Sequence, residues 1–249
     1  MKTFKSIVIT GASSGIGEAI ALDYAAPGIA LALSGRDGVR LETVAEACRA
    51  RGATVDARQI DVADGQAMKA WLTGFDDAHP VDLALANAGM STDKNNESLN
   101  DFALLRRTMD VNFNGALNTV EPLLGRLRAR KRGQIGLVSS LAAFVGLPYA
   151  ASYNASKAAL RVWGESIRYA LKKDDVGVSV ICPGFVTTRI TANSPFPLPF
   201  LMSTEKASRI IRNGLARNKA RVAFPTGTKA AIWLGATLPG NWTARLLGG

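Results

Sequence analysis

The sequence predicts an α/β fold: a single-domain, doubly wound parallel sheet of the Rossmann type with helices on both faces. Three observations carry this expectation. Short aliphatic or β-branched runs alternate with longer stretches of helical period, a Gly-rich turn joins the first run to a helix, and no repeat or composition break divides the chain before about residue 188.

The strand candidates are Ile7–Ile9, Ile29–Leu33, Thr54–Ile60, Val81–Ala86, Gln134–Val138 and Val178–Ile181. Their near-continuous apolar character suggests strands covered on both faces. Between them, Gly15–Ala26, Val39–Arg51, Gly65–Thr73, Leu99–Arg130 and Ser152–Lys172 carry helical spacing. The stretch of about 189–205 holds Pro195, Pro197 and Pro199 among Phe196, Leu198, Phe200, Leu201 and Met202, and reads as an excursion from the sheet. About 226–249 reads as an apolar and basic extension of the single domain, which spans 1–249.

Composition narrows the chemistry. A chain of 249 residues, 47% hydrophobic, can bury roughly three quarters of its unfolded surface and needs neither disulfides nor a structural metal. Cys48 and Cys182 lack a C-x-x-C spacing and read as buried small hydrophobes of a reduced compartment. The single histidine, His79, precedes Pro80 and reads as a loop residue, so multi-histidine metal sites are excluded and no metal is expected. Acid–base work near neutral pH then falls to Tyr, Lys, Asp, Glu or a cofactor. The N-terminal apolar stretch is too short for a secretory signal and no run approaches about 18 apolar residues, so a cytoplasmic location is expected.

Directly after the first strand comes Thr10-Gly11-Ala12-Ser13-Ser14-Gly15-Ile16-Gly17. Glycines there permit a tight turn and close backbone approach to a pyrophosphate, while the following helix offers free N–H groups and a positive dipole end. Tyr153 and Lys157 stand at i and i+4, so an ammonium can sit beside a phenol and favour its ionisation. That pair provides a proton donor and acceptor without histidine. Ser140 closes a strand at its carboxyl edge, where ligands of open α/β sheets bind, and can hydrogen-bond a reacting oxygen.

Together with Asn87-Ala88-Gly89 after the fourth strand and Tyr153-Asn154-Ala155-Ser156-Lys157 in a later helix, the Gly-rich turn closely resembles the short-chain dehydrogenase/reductase family over roughly residues 5–190. The resemblance implies an NAD(P)-dependent oxidoreductase that interconverts an alcohol and a ketone or aldehyde. It implies Asn112, Ser140, Tyr153 and Lys157 as catalytic residues, Asn112 fixing a water that connects Lys157 to solvent. Gly11, Ser13, Ser14, Gly15, Ile16 and Gly17 would hold the dinucleotide, with Asp61 and Val62 meeting the adenine and Asn87, Ala88 and Gly89 beside them. Tyr153 and Lys157 would reach the nicotinamide ribose, and Pro183, Gly184, Val186 and Thr188 the nicotinamide itself. Ser139, next to Ser140, leaves the register of the serine open, and spacing from Tyr153 favours Ser140.

Gly35 occupies the position where the family's NAD users carry an acid, and Arg36 follows it. A guanidinium suits a 2′-phosphate, so NADP(H) is expected to be preferred, with NAD possible. Asp37 nearby works against this. Family members assemble as dimers or tetramers, and a homo-oligomer is expected. Two competing readings are a dinucleotide-binding sensor or scaffold without turnover, which would not need the tyrosine and lysine, and a nucleotide-sugar epimerase or dehydratase, whose chain is longer and whose Gly spacing differs.

Other charges have blander readings. Arg126, Arg128, Arg130, Lys131 and Arg132 are expected to face water and offset a helix dipole, with no nucleic acid bound. Glu18 and Asp23 read as surface charges of the first helix. Residues 190–249 hold eight Lys or Arg against Glu205 and include Trp233 and Trp242. That tail suggests either peripheral contact with an anionic membrane surface at the inner face, or packing over an apolar substrate cleft or between subunits.

Overall fold

The computed structural model describes residues 1–91, 101–147, 150–192, 198–237 and 242. Seven parallel strands form one sheet: β1 Ser6–Thr10, β2 Ala30–Gly35, β3 Thr54–Gln59, β4 Leu83–Ala86, β5 Gln134–Val138, β6 Gly177–Pro183 and β7 Arg221–Phe224, in the order β3-β2-β1-β4-β5-β6-β7. The strand order reverses between β1 and β4, so the loops leaving their carboxyl ends part and open a crevice.

Alternation along the strands builds the two layers of core. Ile7, Ile9, Leu31, Leu33, Ile181, Val222 and Phe224 face the helices α1 Gly15–Tyr24, α2 Gly38–Ala50 and α8 Thr204–Ala216. Val8, Ala32, Ala84, Ile135, Leu137 and Val178 face the opposite layer: α3 Gly65–Ala78, α5 Gly115–Arg130 and α6 Ala151–Leu171. Asp37, Asp64 and Ser203 accept backbone N–H bonds at the starts of α2, α3 and α8, which explains where those helices begin.

The structure departs from the sequence expectation at several places. β3 is an edge strand with a polar, half-exposed sequence, TVDARQ, rather than one covered on both faces. The expected helix over 99–130 is interrupted: α4 Phe102–Met109 and α5 are joined by a wide π turn at Asp110–Asn114, while Leu99 lies outside the described residues. The wide turn carries Asn112 inward, and Gly115 then lets α5 close on Val62, whose methyl would lie 2.6 Å from a Cβ there.

The basic run after Arg126 does not simply face water. Arg126 and Arg130 pair with buried Asp76 at 3.1 and 2.8 Å, Arg132 pairs with Asp82, and Arg128 with Asp174. Asp23 is likewise engaged, accepting from Arg212 and from Ser208 Oγ and so joining α1 to α8. α7 Arg189–Ala192 follows the β6 exit, and Met202 then returns beside Val186 in an isolated parallel bridge. The last described helix, α9 Thr226–Thr237, packs Ile232 with Leu141, Val180 and Cys182, on the sheet face opposite to α8.

Candidate active site

At the carboxyl edge of the sheet the Gly-rich turn and the β4 exit interlock atom against atom. Thr10 Oγ1 accepts the backbone N–H groups of Asn87 and Ala88 at 3.1 and 3.2 Å, and Asn87 Nδ2 donates to the carbonyls of Thr10 and Gly11. A Cβ on Gly17 would lie 2.3 Å from Gly11 O, and one on Gly11 would lie 2.7 Å from Ala88 Cα. Both positions therefore require glycine for space. Gly15 requires it for conformation, with φ +63°, and there the Thr188 methyl approaches from the β6 exit.

Ser14 precedes α1 without a side-chain cap, leaving the first-turn N–H groups open to an anion. Ser13 Oγ and Cβ lie 2.9 Å from where a Gly35 Cβ would stand, so an acidic side chain at 35 has no room in this arrangement. Arg36 is exposed just past β2, while Asp37 caps α2 and pairs with Arg40 at 2.8 Å. Val62 is buried against α5; Asp61 beside it is half-exposed, its carboxylate accepting from Ala63 N. Pro183 is buried, and the Gly184–Val186 turn abuts Phe224 and Met202.

Ser140, Tyr153 and Lys157 meet where β5 ends against α6. Ser140 Oγ accepts from Ala142 N, capping the 3-10 turn Leu141–Ala143, and hydrogen-bonds Tyr153. Ser139 turns the other way and donates to the Lys157 carbonyl at 2.7 Å, which separates the two serines by direction. Lys157 Nζ donates to Val138 O at 2.9 Å and lies 5.8 Å from the centre of the Tyr153 ring. No carboxylate pairs with it among the described residues.

Electrostatics follow from that burial. Desolvation lowers the Lys157 ammonium to about 8, and the Cys182 thiol nearby, itself pushed up to about 12 by burial, supplies no negative charge at neutral pH. Burial raises the Tyr153 phenol, and its hydrogen bond with Ser140 pulls the other way. The pair is thus poised by its surroundings: a cation that holds its proton weakly beside a phenol that holds its proton tightly.

Asn112 completes the group from the π turn. Its Oδ1 accepts Met90 N at 2.8 Å, and its Nδ2 donates to Met90 O and to Ser156 Oγ. Both amide hydrogens are therefore spent on protein. Gly89 keeps a gap between Asn112 and Lys157: a Cβ there would lie 3.1 Å from Asn112 Oδ1 and 3.2 Å from Lys157 Nζ.

The chain matches the family profile described as short chain dehydrogenase over residues 5–196. It belongs to the short-chain dehydrogenase family. An uncharacterized oxidoreductase of Myxococcus xanthus is 38% identical over 90% of this chain and 88% of its own length. 11-beta-hydroxysteroid dehydrogenase 1A of Arabidopsis thaliana is 32% identical over 98% of this chain and 75% of its own. A crystal structure of a short chain dehydrogenase from Mycobacterium paratuberculosis bound to NAD shares the fold, with TM-score 0.77, 24% identity, and coverage of 91% of this chain and 98% of that one.

Three contributors to this short-chain dehydrogenase's site escape sequence reasoning. Thr10 ties two loops through one hydroxyl. Ser156 donates to the Tyr153 carbonyl and receives Asn112, fastening the tyrosine's turn of helix to the π turn. Its signal in the sequence is a hydroxyl one residue before Lys157 and four after Ser152, on the buried face of α6. Met90 matters through its backbone, which no side-chain motif reveals.

Proposed function

We propose that this short-chain dehydrogenase interconverts an alcohol and a ketone or aldehyde with a nicotinamide dinucleotide, NADP(H) in preference to NAD(H). The observation that carries the reading is Lys157: a buried ammonium with no carboxylate partner among the described residues, set beside a half-buried Tyr153 that bonds Ser140. Buried charges without partners are costly, and their persistence points to a ligand that uses them.

The residues fit a dinucleotide. Gly11, Ser13, Gly15, Ile16 and Gly17 with the open α1 N-terminus would hold the pyrophosphate, Asp61 and Val62 would border the adenine, and Asn87, Ala88, Gly89, Pro183, Gly184, Val186 and Thr188 would line the path to the nicotinamide end. Once bound, the cofactor supplies or accepts the hydride. Tyr153 transfers the proton at its phenolic oxygen, Ser140 Oγ hydrogen-bonds the substrate oxygen, and Lys157 favours the phenolate while reaching the ribose. With its amide hydrogens committed to Met90 and Ser156 and one oxygen lone pair to Met90 N, Asn112 would hold a relay water through its one remaining oxygen lone pair, in the gap that Gly89 leaves.

The NADP(H) preference rests on Gly35, Arg36 and Asp37. Asp37 spends its charge on the α2 N-terminus and on Arg40, so it opposes Arg36 less than its position in sequence suggests. The substrate is read as apolar because Phe200 lies over Gly227, Leu201 is exposed beside it, and Met202 returns against Val186, a wall without charge. A ketone and aldehyde panel with NADPH and NADH in parallel tests all three parts. Alkyl or aryl ketones should outperform short keto acids, and Arg36→Ala should lower kcat/KM for NADPH about tenfold while sparing NADH. Equal use of both cofactors, unaltered by Arg36→Ala, overturns the preference.

Assembly as a homodimer or tetramer is read through the exposed side of α6, where Val162 and Tyr169 face solvent in one chain. For the carboxyl-terminal segment, packing is better supported than membrane contact. The cations of α8 lie on the sheet face opposite to α9, leaving Lys229 as the one cation of α9 beside exposed Trp233 and Leu234, so most of the segment's charge is apart from its apolar surface.

A further inference from the structure

Four residues of α6 follow one another at every fourth position: Tyr153, Lys157, Arg161 and Glu165. The first two belong to the site. The second two continue the row away from it and converge on a single turn. Arg161 Nε donates to the carbonyl of Ala143, the last residue of the 3-10 turn that Ser140 caps, and its guanidinium lies 4.5 Å from the centre of the Phe144 ring. Arg221, arriving from β7, lies over the same ring at 4.9 Å. Glu165 joins the two cations, one carboxylate oxygen accepting from Arg161 at 3.1 Å and the other from Arg221 Nε at 2.9 Å.

These contacts do little to hold α6 on the sheet. That work falls to Leu160, buried in the core, and to Gly164, where a Cβ would strike Leu137 at 2.5 Å. Two guanidiniums over one ring repel each other unless an anion stands between them, and Glu165 is that anion. The turn they grip is only three residues long; within itself it has short-range bonds from Ala143 N to Ser140 O, Ala142 N to Ser140 Oγ and Phe144 N to Leu141 O, and Leu141 anchors it on Val180 and Cys182. A small rotation of that turn would carry Ser140 Oγ away from Tyr153.

We propose that Arg161, Arg221 and Glu165 are positioning residues that clasp Phe144 and so fix the turn begun by Ser140 relative to Tyr153. The inference rests on the reading of Ser140 and Tyr153 given above and extends it to a cluster reaching across to β7.

A double-mutant cycle separates the two. Four full-length variants are compared with the parent: Phe144→Leu, which keeps apolar volume and loses the ring; Phe144→Tyr, which keeps the ring; Ser140→Ala; and Ser140→Ala combined with Phe144→Leu. The clasp predicts that Phe144→Leu lowers kcat about tenfold with the NADPH Kd from fluorescence titration unchanged. Phe144→Tyr should restore kcat, and the combined variant should be no slower than Ser140→Ala alone. Glu165→Gln, which leaves the ring in place, should repeat the pattern at smaller size and stands in if Phe144→Leu does not fold. Multiplying losses in the combined variant, or kcat within twofold of the parent in both Phe144→Leu and Glu165→Gln, overturns the clasp. Full turnover in Ser140→Ala overturns the site reading instead, and the clasp with it.

Discussion

The two ends of the sheet treat buried charge in opposite ways. At the amino ends of the strands, Asp76 accepts from Arg126, Arg130 and Val81 N, and Asp82 accepts from Arg132 and from the backbone N–H groups of Lys5 and Ser6. Burial alone would raise the Asp76 carboxyl, but the bonds from Arg130, Val81 and Arg126 outweigh it and hold it below the ordinary value. At the carboxyl ends, Lys157 has, among the described residues, the Val138 carbonyl and the face of the Tyr153 ring. The first arrangement is complete in itself and stiffens the base. The second leaves a charge without a carboxylate partner among the described residues.

The largest effect expected from breaking this contrast is chemical. Tyr153→Phe should lower turnover about 10²–10⁴-fold, the range for one proton-transfer group, while cofactor binding by fluorescence persists. Near-parental turnover would remove the tyrosine from the mechanism. Next in size is a cost in stability at the opposite end. Asp76→Ala should lower unfolding free energy by about 3 kcal/mol, the low end for breaking a buried pair because Arg126 and Arg130 can turn toward water. Its kcat, measured well below the melting transition, should match the parent. A variant that loses activity without losing stability would erase the division of labour between the two ends.

The smallest effect concerns pH. Lys157 titrates near 8 when folded and at the ordinary lysine value when unfolded, so between those values the unfolded chain binds the extra proton. Its burial therefore costs stability below pH 8, and that cost is relieved as pH rises. Tyr153, raised by burial, acts in the opposite sense only above about pH 10. Urea unfolding of the protein without cofactor should show stability rising from pH 8 to 9.5, a slope that Lys157→Met removes. An identical slope in the variant would mean that Lys157 is not buried as a strained cation.

Much of this was legible in the sequence, for physical reasons that also mark the limits. Apolar runs located β1, β2, β4, β5 and β6, because strands buried on both faces read as short, near-continuous aliphatic runs. β7, four residues beginning with Arg221, has an apolar run of three, Val222–Phe224, too short to stand out, and pairs with β6 alone. Tyr153 and Lys157 were readable because both sit on one helix, where spacing in sequence is spacing in space. The interplay of Asp76 with Arg126 and Arg130 spans about fifty positions and leaves no local trace. Ser139 and Ser140 differ only in direction, which the end of β5 decides and sequence cannot. The break at Asp110–Asn114 had no breaker residue to announce it: Gly115 lies past it and Pro122 sits inside α5.

That wide turn has a consequence for how this chain can change over generations. An α-helix advances about 100° per residue, so one residue gained or lost between Phe102 and Leu127 would swing everything beyond it by roughly that angle. Either Val120, Leu123 and Leu127 would leave the core, or Asn112 would leave Met90 and Ser156. Side chains on the outer surface of these helices are free to drift, yet the count of residues separating Asn112 from Leu127 is not. Insertions and deletions should thus be poorly tolerated between Asn112 and Leu127.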